Sequence, residues 1–355
     1  MKNNLDFTKI SFETFEENYE KIIDFKDREI ISTLKNLILF EEEKKGFDFE
    51  TLILKFADHI NKDIRLIVTK YMSKSSDISS LRKIRKIIAL EKDDEIINEA
   101  IIIFGIWVSN YVMKDKVTNK LSDYGFEFIK SSKSNKQINL MVQSLSFIKN
   151  PKIENLILKK YSTKDDENLI SSIISMGNNG DLKWIPLIEE MLDHDNFKIR
   201  SEACLSLSLL GNEEHLDQLK DLLEDEELET QKAAVNSISN IGGVYAKKLL
   251  DNLKFSTEPE IVNLSKLKLE EIKAEEELDS SATPEKITDT SLESLKKDLS
   301  KDFDEYNAAK IEGWGSLNPD GTSFIAPDAI DDDIDDPIKS LADYEKPIDQ
   351  PDLDD

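Results

Sequence analysis

The sequence is most informative in what it has little of. It contains one cysteine, Cys204, so no internal disulfide can form and nothing in it calls for an oxidising compartment. Eleven glycines and nine prolines in 355 residues are too few to punctuate a chain of many short strands. Arginine is restricted to Arg28, Arg65, Arg82, Arg85 and Arg200, against 42 lysines. Arginine is the preferred fork for phosphate and guanine edges, and the formal net charge is -26, so a general nucleic-acid-binding role is disfavoured. The longest apolar run, Ala100–Val108 with Gly105 counted, is half the length of a membrane span and reads as a buried helix. The N-terminus has neither an apolar h-region nor a small-residue cleavage site, so a soluble cytoplasmic protein is expected.

What is present is periodic. The segment IRSEACLSLSLLGN at 199–212, moved by 31 residues, meets TQKAAVNSISNIGG at 230–243. Ala203 falls on Ala234, Leu207 on Ile238, Leu210 on Ile241 and Gly211 on Gly242. Apolar residues at i, i+4 and i+7 make one face of a helix, and the glycine after them is expected as a left-handed stop. The same shift carries Ile185, Ile188, Met191 and Leu192 onto Leu216, Leu219, Leu222 and Leu223. The acidic turns DHDN at 193–196 and EDEE at 224–227 separate the two helices of each unit. A shift of 103 puts Ala203 on Ala100, Leu207 on Phe104 and Leu210 on Trp107, and NKDIRLIV at 61–68 lies a further step back. The helix LISSIISMG is expected to end on Gly177. EIVNLSKLKLEEI at 260–272 and REIISTLKNLILF at 28–40 extend the series, giving about seven hairpins with an irregular stretch near 109–135.

IPLIEEMLDHDNFKIRSEACLSLSLLGN and LDQLKDLLEDEELETQKAAVNSISNIGG resemble HEAT repeats of the short bacterial kind, over roughly 181–243 and more loosely over 45–110. The resemblance implies an all-α protein, a right-handed α-α superhelix of hairpins that bury their apolar faces by stacking. It also implies that the second helix of each hairpin lines the concave side, with Ser201, Glu202, Gln231 and Lys232 among its open positions. It is specific for fold and nearly silent on function.

Two domains are expected, a solenoid over 1–273 and an acidic, largely disordered tail over 274–355. The tail holds 25 acids and seven lysines, and AEEELDSSATPEK opens it as a linker. Within it, Leu292, Leu295, Leu299, Phe303 and Tyr306 form an apolar stripe at helical spacing in 291–310. Trp314, Leu317, Phe324 and Ile325 sit in an aromatic motif, 313–325, around the turn Asn318-Pro319-Asp320-Gly321. Such anchors in a polar segment read as a partner-binding motif.

Candidate chemistry is sparse. Asp331, Asp333 and Asp335 imitate the start of a calcium loop, but Asp336 stands where glycine is required and Ala342 where glutamate is. His59, His194 and His215 form no HxxxH or His-Glu pair and read as surface or capping residues. Cys204 has no base beside it in sequence. Gly242-Gly243 follows no strand and precedes no GK[ST]. Trp107 and Trp184 fall on repeat faces and read as core. Residues 70–90 carry Lys70, Lys74, Arg82, Lys83, Arg85 and Lys86 against one acid, Asp77. That run is either a solvated helix face or the docking site of the chain's own acidic tail.

The expectation is therefore a non-catalytic scaffold or adaptor that binds a protein partner through the solenoid surface and the tail motif, with no cofactor, no metal and no nucleic acid. The alternatives are an enzyme or accessory of the bilin-lyase type, which HEAT-like bacterial proteins include, and a regulator whose tail imitates a polyanion.

Overall fold

The computed structural model describes residues 10, 14–43, 48–75, 78–111 and 115–281. The described residues form two compact units that divide between Trp184 and Ile185. Both are all-α, built from helical hairpins, and no strand occurs among the described residues.

The first unit contains five hairpins. They are α1 (Phe15–Ile23) with α2 (Asp27–Glu43), α3 (Glu50–Leu54) with α4 (Lys62–Tyr71), and α5 (Ile78–Leu90) with α6 (Asp94–Tyr111). Then come α7 (Asp115–Ser131) with α8 (Asn135–Leu145), and α9 (Pro151–Tyr161) with α10 (Asp166–Asn179). The second unit contains three: α11 (Ile185–Glu189) with α12 (Phe197–Leu210), α13 (Leu216–Asp221) with α14 (Leu228–Ile241), and α15 (Gly243–Asn252) with α16 (Pro259–Ser281). In each unit the second helices pack on one another in sequence, α2 to α10 in the first and α12 to α16 in the second. This is the α-solenoid arrangement: a hairpin cannot bury its apolar side alone, so the next one covers it.

Helix starts are set by short polar side chains. Asn61, Ser134, Asp165 and Asn196 each cap a second helix by accepting a backbone N–H of its first turn. Asn150 does the same for α9, with Pro151 pre-set in the first turn. The repeating apolar positions are the core. Ala203, Leu207 and Leu210 are buried, as are Ala234, Ile238, Ala100, Phe104, Trp107 and Trp184.

Four expectations are corrected. The described part of the stretch near 109–135 is regular: residues 109–111 end α6, and 115–131 are the first helix of the α7–α8 hairpin, with Leu121, Tyr124 and Phe128 on its buried face. Thr118 and Ser122 share that face and dilute its apolar period. α10 runs past Gly177, which is buried inside it, and stops at Gly180 in the left-handed conformation (φ 71°). Gly211 does end α12, but in extended backbone (φ -79°). Glycine is needed there for room, because a Cβ would lie 2.9 Å from the Leu207 carbonyl oxygen and 3.2 Å from the His215 ring. Lastly, α16 continues eight residues beyond 273, because AEEEL consists of strong helix formers and Ile272 is buried, and Glu276 pairs with Lys247.

Candidate protein-binding surface

Within each unit, taken by itself, the second helices present an exposed face. On α6 this face carries Ile102 and Ile106, which are 47% and 39% exposed. On α12, at the positions 103 residues later, it carries Leu205 and Leu209 at 37% and 62%. The 31-residue period carries Leu205 onto Asn236 of α14 and Leu267 of α16, and Leu209 onto Asn240 and Glu271. Leu267 is 50% exposed, and the Asn240 amide donates to the Ser208 hydroxyl at 3.4 Å. Isolated exposed leucines are ordinary on a protein surface. Leu205 and Leu209 on α12 and Leu267 on α16 stay exposed, and Asn236 and Asn240 stand at the corresponding positions of α14 between them.

The positions expected to be open on α12 and α14 are half-buried. Ser201 donates to the Phe197 carbonyl and meets the Thr230 hydroxyl at 3.2 Å. Gln231 turns back to donate to the Asp225 carbonyl at 2.7 Å, and Lys232 pairs with Glu229 and Glu260. Burial pushes the Glu202 carboxyl above the ordinary carboxylate range.

The basic run of 70–90 is spread over two helices. Lys70 lies exposed on α4, and Lys74 in the turn after it pairs with Glu42. Arg82 is exposed and Lys83 half-buried on α5, and Lys86 pairs with Asp58 at 3.2 Å. Arg85 is buried, its guanidinium carbon 4.5 Å from the centroid of the Tyr124 ring. It therefore presents no charge to solvent. Leu292, Leu295, Leu299, Phe303, Trp314, Leu317, Phe324 and Ile325 lie outside the described residues.

The histidines are turn residues. His59 and His194 each accept, through Nδ1, the backbone N–H of the helix-capping Asn61 and Asn196, both at 3.0 Å. His215 accepts the Asn212 N–H at 3.1 Å in a reciprocal capping box. Cys204 is buried, and burial pushes its thiol up to about 12. Among the described residues no group of three or more His, Cys, Asp or Glu is placed to hold a metal ion, and no helix is long and apolar enough to cross a membrane.

One feature of the turns escapes the 31-residue comparison. Asp58-His59-Ile60-Asn61 with Arg65 and Asp193-His194-Asp195-Asn196 with Arg200 have the same spacing, 135 residues apart. Arg65 donates to the carbonyls of His59 and Ile60 and forks onto Glu91 at 2.8 and 3.1 Å. Arg200 donates to the carbonyls of His194 and Asp195 and forks onto Asp225, with both bonds at 2.7 Å. Each arginine thus ties its own turn to the turn of the following hairpin. Burial pulls Glu91 and Asp225 toward higher pKa, but the guanidinium fork and backbone N–H groups outweigh it, and both are held below the ordinary carboxylate range.

Residues 185–262 match the family model described as HEAT repeats. Over those residues the chain carries HEAT repeats. No curated protein matches it in sequence. Among solved structures, the complex of CpcE and CpcF of phycocyanin lyase from Nostoc is 14% identical, with 64% of this chain and 97% of that one covered, at a TM-score of 0.42. Human deoxyhypusine hydroxylase is 12% identical over 74% of this chain and 98% of its own, at 0.33. A designed armadillo repeat protein in complex with the peptide (KR)4 is 16% identical over 73% and 99%, at 0.29.

Proposed function

We propose that this protein is a non-catalytic scaffold or adaptor that binds a protein partner, using the exposed apolar residues of its second helices together with the aromatic motif around Trp314 and Phe324. The observation that carries the reading is the recurrence of apolar side chains at one repeat position, Ile102 and Ile106 on α6 and Leu205 and Leu209 on α12. A core does not need them there, and exposed apolar pairs one turn apart on a helix, each within its own unit, are what a protein surface offers for docking. The side chains that most often do chemistry are engaged otherwise. The histidines cap turns and the thiol is buried.

The test uses the full-length chain as bait in a native lysate, read by mass spectrometry. A partner is expected that is retained by the natural chain and reduced at least about tenfold by Leu205→Asp/Leu209→Asp and by Trp314→Ala/Phe324→Ala, the loss typical of removing central anchors. A set of retained proteins that neither variant changes would overturn the adaptor reading.

A further inference from the structure

We propose that the groove between the ends of α13 and α15, in the second unit, takes an arginine side chain from a basic segment of a protein partner, in the place that Arg65 and Arg200 fill at their own turns.

The repeat register leads to this groove. The short turns Leu222–Glu224 after α13 and Leu253–Phe255 after α15 stand one 31-residue period apart. In the same register Arg200 falls on Gln231, and its partner Asp225 falls on Ser256. Gln231 keeps the bond back to its own turn, donating to the Asp225 carbonyl at 2.7 Å as Arg200 donates to the His194 carbonyl at 2.8 Å. No acid stands at Ser256 for a fork, so the tie from one turn to the next is not repeated here. A groove of about 1030 Å³ lies between the two turns, with Gln231 and Ser256 in its lining. The corresponding groove of the first unit has Arg65 and Glu91 in its lining and measures about 510 Å³.

Charge and shape select the occupant. Asp221, Glu224 and Glu258 are exposed in the lining, against Lys220 as its one cation. Among the described residues none of these three carboxylates forms an ion pair. In the first unit's groove, by contrast, Lys86 holds Asp58 at 3.2 Å and Arg65 forks onto Glu91. Carboxylates open to a groove draw a cation, and a fork is the geometry they accept best. Phe255 lines the same groove and is 79% exposed. Its ring is a stacking face for a planar guanidinium, and the Lys254 ammonium already lies 5.2 Å from its centroid. Leu223 and Leu249 give the methylene stem of an arginine an apolar wall. The chain's own tail has the wrong sign for this place, since 274–355 carries 25 acids and seven lysines.

The inference rests on the reading of the chain as a protein-binding scaffold and adds the kind of segment it takes. The probe is a fluorescein-labelled peptide, Gly-Arg-Leu-Arg-Gly, titrated with the full-length chain in about 150 mM salt, which screens the long-range pull of the net charge. Anisotropy should show saturable binding that Glu224→Gln/Glu258→Gln weakens at least about tenfold. Phe255→Ala, or lysines in place of the peptide's arginines, should weaken it at least about threefold. A second variant keeps both the fold and the net charge. Gln231→Arg/Ser256→Asp installs the tie of Arg200 and Asp225, and should abolish binding without lowering the temperature of thermal unfolding. No saturable binding up to about 1 mM would overturn the inference. So would binding that neither double variant changes, which is attraction to the acidic tail alone, or equal affinity for the lysine peptide. A dimer that Glu224→Gln/Glu258→Gln disperses would assign the groove to a second copy and overturn it as well. Failure of the peptide titration removes the arginine site and leaves the adaptor reading to its own test in a lysate. Failure to capture a partner there, with the peptide bound as expected, removes the adaptor reading and leaves the groove.

Discussion

The two units build the same turn from the same spacing of residues and set it at different depths. In the second unit Arg200 and Asp225 are 9% and 5% exposed; in the first, Arg65 and Glu91 are 20% and 11% exposed. Asp225, one methylene shorter than Glu91, draws its arginine closer, with both fork bonds at 2.7 Å. The local sequence Asp-His-x-Asn with an arginine four residues on fixes the geometry of a turn. The acid supplied by the next hairpin fixes how deeply the charge pair is buried, and burial decides how much depends on it. A buried pair adds little over an apolar substitute, yet removing one partner leaves an uncompensated charge in a dry site.

The sharpest way to break the comparison is therefore to delete the two arginines separately. Arg200→Ala is expected to destabilise the second unit by about 3–5 kcal/mol, because Asp225 is stranded. Arg65→Ala is expected to lower the stability of the first unit by about 1.5–3 kcal/mol, since Glu91 keeps more contact with water. Cys204 provides the readout for the second unit. Its buried thiol reacts only when α12 opens, so Arg200→Ala should accelerate labelling by about a hundredfold or more, while Arg65→Ala leaves the rate near its natural value. Equal effects of the two substitutions would show that depth does not matter.

A smaller effect is expected at the contact between α6 and α8. A Cβ on Gly105 would lie 2.8 Å from the Ser144 hydroxyl and 3.1 Å from its Cα. The hydroxyl also donates to the Ile101 carbonyl at 2.8 Å, so it cannot turn away freely. Gly105→Ala should cost about 1–3 kcal/mol, read from the thermal unfolding of the first unit. The capping residues come last. Asn61→Ala and Asn196→Ala should each lose about 1 kcal/mol in urea titrations, because each removes the acceptor of a first-turn N–H; Asn61→Ala also removes the exposed bond from its amide to Asp27 at 2.7 Å.

Acid sharpens the comparison from another side. Asp225 and Glu91 both lie below the ordinary carboxylate range in the folded chain. Their contribution is complete above that range and is lost as pH falls through their lowered values. Glu202 has the opposite sign: raised by burial, its contribution is present at low pH and is lost as pH climbs through and above the ordinary carboxylate range. Asp225→Asn should flatten the acid limb of a stability–pH profile measured by circular dichroism, and Glu202→Gln should flatten the rise of instability just above it.

Much of the fold could be read from spacing alone. Ala203, Leu207 and Leu210 announce a helix face, Gly211 its end, and DHDN a turn, because each requirement is local to a few residues. The α7 helix was hidden by Thr118 and Ser122, polar residues on a buried face, and Arg85 by its place in a run of lysines and arginines. Its burial over Tyr124 depends on a ring 39 residues away. The exposed side chains of α12 were legible only in part. The period could be found in the sequence, but Leu205 and Leu209 look no different from Leu207 and Leu210 until the packing of α12 against its neighbours shows which are covered.

The sequence by itself determined the helical hairpins, their period, the caps that start them and the acidic turns that join them, since all of these follow from propensity and from apolar spacing within one helix or turn. Only the tertiary structure decided which apolar side chains become core and which stay exposed, which acid each arginine grips, and how deeply. Those outcomes depend on residues brought together from the next hairpin, about 25 to 43 positions away, where no local pattern records the meeting.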